Sequence, residues 1–319
     1  MTQRKIVKSG NTSYILSLPI EWIRKNNLKA GEMVFVNEDK IGDLIISSRI
    51  RKQTKSNETV TIKVDGKDDE SIYLELLTTY IRDPTAIIFE GKELRTKADK
   101  ILNLVKSFIG LDVMEQSTGS IIVKNFFTLD VDVSPRILLK KLDFVNRSIF
   151  SLLDHFFTKG FRKEDFSELQ KLYEQTDHIF ILIRKCVLKL LEQPKLISTL
   201  KTNLLEVSKH RIFARCSIHI SSSLFTIGKA FLFLDPHEKE IKKLKHYFSM
   251  TIKEYNSLQN AINNQTYEQV YQFLKVSKSS TNNLNDFLKS LEDPLAVQVT
   301  TSILSINRNL RDMAHESLA

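Results

Sequence analysis

The sequence predicts a mainly helical α+β protein. Only 9 Gly and 6 Pro occur among the 319 residues, which favours long uninterrupted helices. After Pro135, apolar residues recur at steps of three and four, as on the buried faces of amphipathic helices. Before Pro135 the apolar segments are short and separated by turn residues, which is typical of strands.

The first 52 residues predict a small unit of short strands with one short helix. Gly10 and Asn11 separate two apolar segments and indicate a hairpin turn. Residues 20–27 have Ile and Trp on one side and basic residues on the other, which suits one or two helical turns. So small a unit, without disulfides or metal ligands, buries too little surface to fold alone, so we expect it to dimerise.

Residues 56–130 predict a small α/β module with the element order β-α-β-α-β-β. Apolar strands are expected at 59–64 and 85–90, each followed by an amphipathic helix, and a hairpin turns at Thr118 and Gly119. The module contains no Gly-rich phosphate loop, so its sequence does not support nucleotide binding.

Residues 132–319 predict long helices in two similar groups. Four prolines punctuate this part at positions 135, 194, 236 and 294, at intervals of 59, 42 and 58 residues. Proline suits the first turn of a helix, so we expect these residues to mark helix starts. A helical hairpin followed by one further helix, repeated once, explains the intervals and gives two three-helix repeats, 132–235 and 236–319.

Charge and cysteine content narrow the class of protein. The net charge is +9. Residues 1–55 contribute 11 − 5 = +6, whereas residues 56–130 contribute 9 − 13 = −4. The basic front part suggests a polyanionic partner. We expect a cytoplasmic protein, because the two cysteines have no paired spacing and the sequence lacks a secretory signal. No apolar segment approaches the roughly 20 residues that cross a bilayer, so membrane insertion is not expected.

The front part resembles the AbrB/MazE/SpoVT family of swapped-hairpin DNA-binding domains. The resemblance rests on KSGNTSYILSLPIEWIRKNNLKAGEMVFV, residues 8–36. It implies a homodimer that presents basic side chains to double-stranded DNA. Ser17 stands near the position where many members have a basic residue, just before the Pro of this motif. The positions that match the DNA-binding role are Arg4, Lys5, Lys8, Asn11, Ser13, Arg24 and Lys25.

The helical part resembles PhoU, a family of phosphate-uptake regulators, and the order of the three parts resembles its archaeal members. The best-matching stretches are residues 108–116, 172–191 and 304–318. The resemblance implies a regulator of phosphate uptake.

PhoU repeats often hold iron or zinc through carboxylates, and Glu174 and Asp177 match such a position. The helix expected to face them has Ser217 and Ser221 where the family places acids. We therefore expect that the metal site is lost and that no cofactor binds. The two acids are then expected to pair with basic neighbours such as Lys171 or Arg184.

An enzyme is the least expected class. None of the seven histidines forms a metal-ligand pair, and each is interpreted as a hydrogen-bonded interior or surface residue. The first hypothesis is a DNA-binding regulator of phosphate uptake. The alternative is an adapter without DNA binding, whose helices dock on a phosphate transporter or signalling protein. An antitoxin like MazE is disfavoured because about 270 folded-looking residues follow the front part.

Overall fold

The structure is a computed structural model that describes residues 3–10, 12–38, 44–48, 58–127, 129, 133–160, 163–233 and 238–318. The chain forms two compact units, Met1–Ser56 and Asn57–Ala319, called here the N-terminal unit and the main unit. The finer boundaries expected from the sequence, 1–52, 56–130 and 132–319, stay predictions.

The N-terminal unit consists of two hairpins and one short helix. Each hairpin is an antiparallel pair of strands, and the two pairs are separate sheets. This confirms the predicted strands and the short helix, although Asn11 of the first turn lies outside the described residues. The elements are β1 (Ile6–Ser9), β2 (Ser13–Leu16), α1 (Ile20–Lys25), β3 (Phe35–Glu38) and β4 (Leu44–Ser47).

The main unit begins with an α/β module in the predicted element order. Its sheet has the strand order β5-β6-β8-β7, in which only β5 and β6 are parallel. Asp68 caps the first helix, because its carboxylate accepts a hydrogen bond from the Ser71 backbone N–H at 2.8 Å. The elements are β5 (Thr59–Lys63), α2 (Asp69–Ile81), β6 (Ala86–Glu90), α3 (Leu94–Lys106), β7 (Leu111–Gln116) and β8 (Ser120–Asn125).

Long helices make up the rest of the main unit. Pro135, Pro194 and Pro294 each occupy the first position of a helix, as predicted, and Pro236 lies outside the described residues. The short helix α6 was not anticipated. The helices are α4 (Pro135–Lys159), α5 (Lys163–Glu192), α6 (Pro194–Thr199), α7 (Leu204–Ala230), α8 (Glu238–Asn263), α9 (Tyr267–Lys289) and α10 (Pro294–Leu318).

The two predicted helical groups share one hydrophobic core. Side chains of α4, α5 and α7 belong to the same buried cluster as side chains of α8, α9 and α10. The α/β module has its own core, to which Ile181 of α5 contributes. Among the helices of the described ranges, none combines the length and the apolar character that crossing a membrane requires.

Candidate nucleic-acid interface

The predicted basic residues all lie on the surface of the N-terminal unit. Arg4 and Lys5 precede β1, Lys8 lies within it, and Arg24 and Lys25 occupy the last turn of α1. All five are exposed, and none forms an ion pair with a described residue. Their charges are therefore available to a polyanion.

The two polar positions predicted to contact DNA have different outcomes. Ser13 is exposed, but its hydroxyl donates a hydrogen bond to the Ser9 carbonyl across the turn. The Ser13 proton is therefore used within the hairpin, and its oxygen remains available only as an acceptor. Asn11 lies outside the described residues.

Hydrogen bonds of the Asn26 side chain fix the end of α1. The Asn26 amide donates to the Trp22 carbonyl at 2.8 Å and accepts a hydrogen bond from the Ser48 hydroxyl at 2.8 Å. These bonds tie the end of α1 to the end of β4. Arg24 and Lys25 lie in the last turn of α1, where the helix dipole favours positive charge.

Both faces of the first hairpin carry exposed apolar side chains. Val7 lies opposite Ile15 in the register, and Ile6 lies opposite Leu16 on the other face. All four are between 44% and 67% exposed. Lys8 is opposite Tyr14 and shares the face of Ile6, so this face of the strand carries one apolar and one basic side chain.

The N-terminal unit contains no buried side chain among its described residues. An isolated two-stranded hairpin is marginally stable in water, and here two such hairpins share no sheet. Many exposed apolar side chains on a unit without a buried core are typical of an interaction site. Its large exposed apolar residues are Ile6, Val7, Tyr14, Ile15, Leu16, Ile20, Met33, Phe35, Val36, Leu44 and Ile45.

Glu174 and Asp177, the candidate remnants of a metal site, do not converge with other ligands. No group of three or more His, Cys, Asp or Glu residues that could hold a metal occurs within the described ranges. The expected ion pairs are wrong: the exposed Glu174 accepts a hydrogen bond from Gln170 at 3.0 Å, and Arg184 lies over the Phe180 ring. Burial raises the pKa of Asp177.

The serines expected to face those acids have a different role. The Ser221 hydroxyl donates to Asn146 Oδ1 at 2.6 Å, and Asn146 Nδ2 donates to the Ser217 carbonyl at 3.2 Å. Asn146 of α4 is fully buried. The Ser221 side chain and the Ser217 backbone therefore satisfy the buried Asn146 amide between α4 and α7.

Sequence reasoning missed the polar contact between the α/β module and α5. The buried Lys185 ammonium lies 2.9 Å from Asp83, and Lys189 pairs with the same carboxylate. Burial alone would raise the pKa of Asp83, but hydrogen bonds from Lys189 and Lys185 outweigh burial and lower it. The sequence carries no clear signal for this contact, because Arg184 and Lys185 stand side by side in an apolar helical stretch and only Lys185 is buried.

Comparison with known proteins identifies the front of the chain. A family model described as "Antidote-toxin recognition MazE, bacterial antitoxin" matches residues 7–58. No curated protein and no solved structure matches the chain significantly. The resemblance of the helical part to PhoU repeats has no support from these comparisons and stays a prediction. The chain therefore carries an N-terminal domain of the MazE type, ahead of a much longer α/β and helical unit.

Proposed function

We propose that the protein is a DNA-binding transcription regulator that acts as a homodimer through its N-terminal unit. The observation that carries the proposal is a MazE-type domain whose hairpins expose apolar side chains on both faces. A second copy that covers these side chains supplies the core that one copy lacks.

Dimerisation also concentrates charge. Two copies bring ten exposed basic side chains into one assembly, five from each chain: Arg4, Lys5, Lys8, Arg24 and Lys25. Such a surface binds DNA by neutralising phosphates and releasing counterions, which gives affinity without sequence information. Base recognition then depends on which of these side chains reach the grooves.

The test measures DNA binding of the full chain by fluorescence anisotropy as a function of salt. The wild type is expected to lose affinity steeply between 50 and 200 mM salt, by roughly 10³-fold or more if six or more phosphates are contacted. The triple variant Lys8→Ala/Arg24→Ala/Lys25→Ala removes six charges per dimer, so the slope of log K against log salt should fall by several units.

A matched control removes three charges elsewhere. Lys171, Lys253 and Lys278 are exposed on three helices of the main unit, and their triple Ala variant loses the same net charge. Binding unchanged in the control and lost in the front variant supports the proposal. Equal losses in both variants, or no salt-dependent binding by the wild type, contradict it.

Two other functions remain as candidates. The description of the matching family favours an antitoxin-like regulator that recognises a toxin. Neutralisation of a co-expressed toxin from a neighbouring gene tests it. An adapter that uses the N-terminal unit only to dimerise, and docks on a phosphate transporter or signalling protein, predicts an intact dimer with no DNA binding. We infer a role in phosphate uptake from the resemblance to PhoU alone. We also infer that the protein acts in the cytoplasm.

A further inference from the structure

A cavity of about 330 Å³ lies inside the main unit at one end of the helical bundle. It is bordered by the starts of α4 and α7, the turn after α6 and the end of α8. Its volume falls within the range of small-molecule sites, roughly 300–1,000 Å³.

One part of the cavity wall is cationic. Arg136, Lys140 and Lys201 line it, against the two carboxylates of Glu206 and Asp143. The charge of Asp143 is already compensated, because its carboxylate accepts hydrogen bonds from Arg147 Nε at 3.0 Å and from the Tyr255 hydroxyl at 2.6 Å. The remaining wall is therefore net positive.

His210 adds an unsatisfied polar atom to this wall. Its Nδ1 is buried and has no hydrogen-bond partner among the residues that the structure describes, and its Nε2 lies 4.0 Å from Glu206 Oε2, too far for a hydrogen bond. Burial lowers the pKa of His210, Glu206 opposes this effect, and Arg136 adds to it. The sequence-based interpretation of His210 as a hydrogen-bonded residue is therefore wrong. A buried nitrogen without a partner is costly unless a ligand or water completes it.

Apolar side chains also line the cavity. An anion held by the cationic side chains would leave an attached carbon chain to contact apolar side chains from α4, α5, the turn after α6, α7, α8 and α10. These side chains are Leu139, Leu190, Leu200, Phe213, Ile262 and Met313.

We propose that this cavity binds a small amphipathic carboxylate, with the anion beside Arg136 and His210 and the carbon chain against the apolar wall. With Asp143 compensated, the three cationic side chains against Glu206 leave 3 − 1 = +2, which attracts one carboxylate, and the apolar side chains disfavour a bare anion. The site belongs to the main unit alone, so the proposal stands or falls separately from DNA binding by the N-terminal unit.

The experiment measures binding of octanoate to the full chain by isothermal titration calorimetry. Octanol shares the carbon chain without the charge, and inorganic phosphate carries charge without the chain. Octanoate is expected to bind at one site per chain, about tenfold or more tightly than either of the other two probes. Octanol lacks the charge-assisted contact, and phosphate lacks the burial of an apolar chain. Equal affinity for octanol, competition by phosphate at equal affinity, or no octanoate binding overturns the proposal.

Variants locate the site. Arg136→Gln is expected to weaken octanoate binding by about tenfold, and Leu139→Phe, which fills the cavity while keeping every charge, should abolish it. Arg211→Gln, at an exposed position next to His210 that does not line the cavity, is the matched control. Circular dichroism and thermal unfolding establish that each variant is folded. Wild-type affinity in both cavity variants, or an equal loss in the control, contradicts the assignment.

Discussion

The Lys185 ammonium and the Asp83 carboxylate form a buried ion pair, 2.9 Å apart, between α5 and the turn after α2. The Lys185 side chain is 0% exposed. Its Nζ also lies 3.7 Å from the centroid of the Tyr80 ring and 4.8 Å from that of Phe127. Lys185 also donates a hydrogen bond to Asn125 Oδ1 at 3.4 Å. A lysine in this environment keeps its charge through Asp83, Asn125 and the two ring faces, so the α/β module and the helices are coupled at this point.

Asp83→Asn is expected to destabilise the main unit by about 3 kcal/mol at pH 7, because it leaves a buried ammonium without its counterion. Urea unfolding followed by circular dichroism measures the change. The double variant Asp83→Asn/Lys185→Met should recover much of the loss, since a linear apolar side chain replaces the unpaired charge.

The exposed pair of Lys100 and Asp69 provides the control. These side chains are 64% and 54% exposed, and Asp69→Asn should cost less than about 1 kcal/mol. A loss at Asp83 no larger than that at Asp69 would show that the buried pair does not couple the two parts.

The stability of the main unit should depend on alkaline pH through Lys185. Burial lowers the pKa of Lys185 from 10.5 to about 8. A base with a lowered folded-state pKa releases its proton on folding between these values, so its contribution to the unfolding free energy rises with pH across this window. Relative to Lys185→Met, the wild type should gain about 3 kcal/mol between pH 8 and 10.5. Parallel stability curves for the two proteins across that range would contradict the burial of a charged Lys185.

Glu254 of α8 is a second buried charge, and its removal should stabilise the protein. The residue is 9% exposed, and within the described part of the chain neither carboxylate oxygen has a hydrogen-bond partner of good geometry. Burial raises the pKa of Glu254 above 4.5, and the Ser280 hydroxyl offsets this only in part. Glu254→Gln is expected to raise the unfolding free energy by about 1 kcal/mol at pH 7.

The pH dependence of the Glu254→Gln effect follows from the linkage between protonation and folding. An acid with a raised folded-state pKa is best tolerated when protonated, so the advantage of Gln should vanish as pH falls below the ordinary value of 4.5. Unfolding measured at pH 3.5 and 7 distinguishes this from a simple packing gain. A Gln variant that is less stable than wild type at pH 7 would imply that the charge has a partner.

Gly228 allows α7 to approach α5 closely. A Cβ at this position would lie 2.0 Å from Cδ2 of the fully buried Leu169. Gly228→Ala should therefore cost about 1–2 kcal/mol through overpacking, despite the better helix propensity of Ala. The double variant Gly228→Ala/Leu169→Val should be more stable than the single variant in thermal unfolding, because the shorter side chain relieves the clash.

Local pattern was enough to predict most elements of this fold. The spacing of apolar residues from Leu138 to Phe156 predicted α4, and three prolines marked helix starts. The expectation that the N-terminal unit needs a partner follows from its size and stays a prediction. Adjacent apolar residues in β1 and β2, Ile6-Val7 and Ile15-Leu16, place apolar side chains on both faces of the hairpin in any register, whereas the pairing of Val7 with Ile15 depends on the register.

Contacts between distant residues could not be predicted from one sequence. Lys185 and Asp83 are 102 positions apart, and the lysine was indistinguishable from a surface residue until the packing of α5 was known. His210 was interpreted as satisfied because a pattern of residue types carries no count of hydrogen bonds. The cavity beside it arises from segments spread between Ser134 and Met313.

The mass of the full chain in dilute solution tests the central claim most directly. Analytical ultracentrifugation should give twice the 36.9 kDa of one chain. Ile15→Glu, which places a charge on the exposed apolar face of β2, should shift the mass to one chain, whereas Phe144→Glu at an exposed position of α4 should not. A wild-type mass of 36.9 kDa at micromolar concentration, with the N-terminal unit folded, would contradict the account.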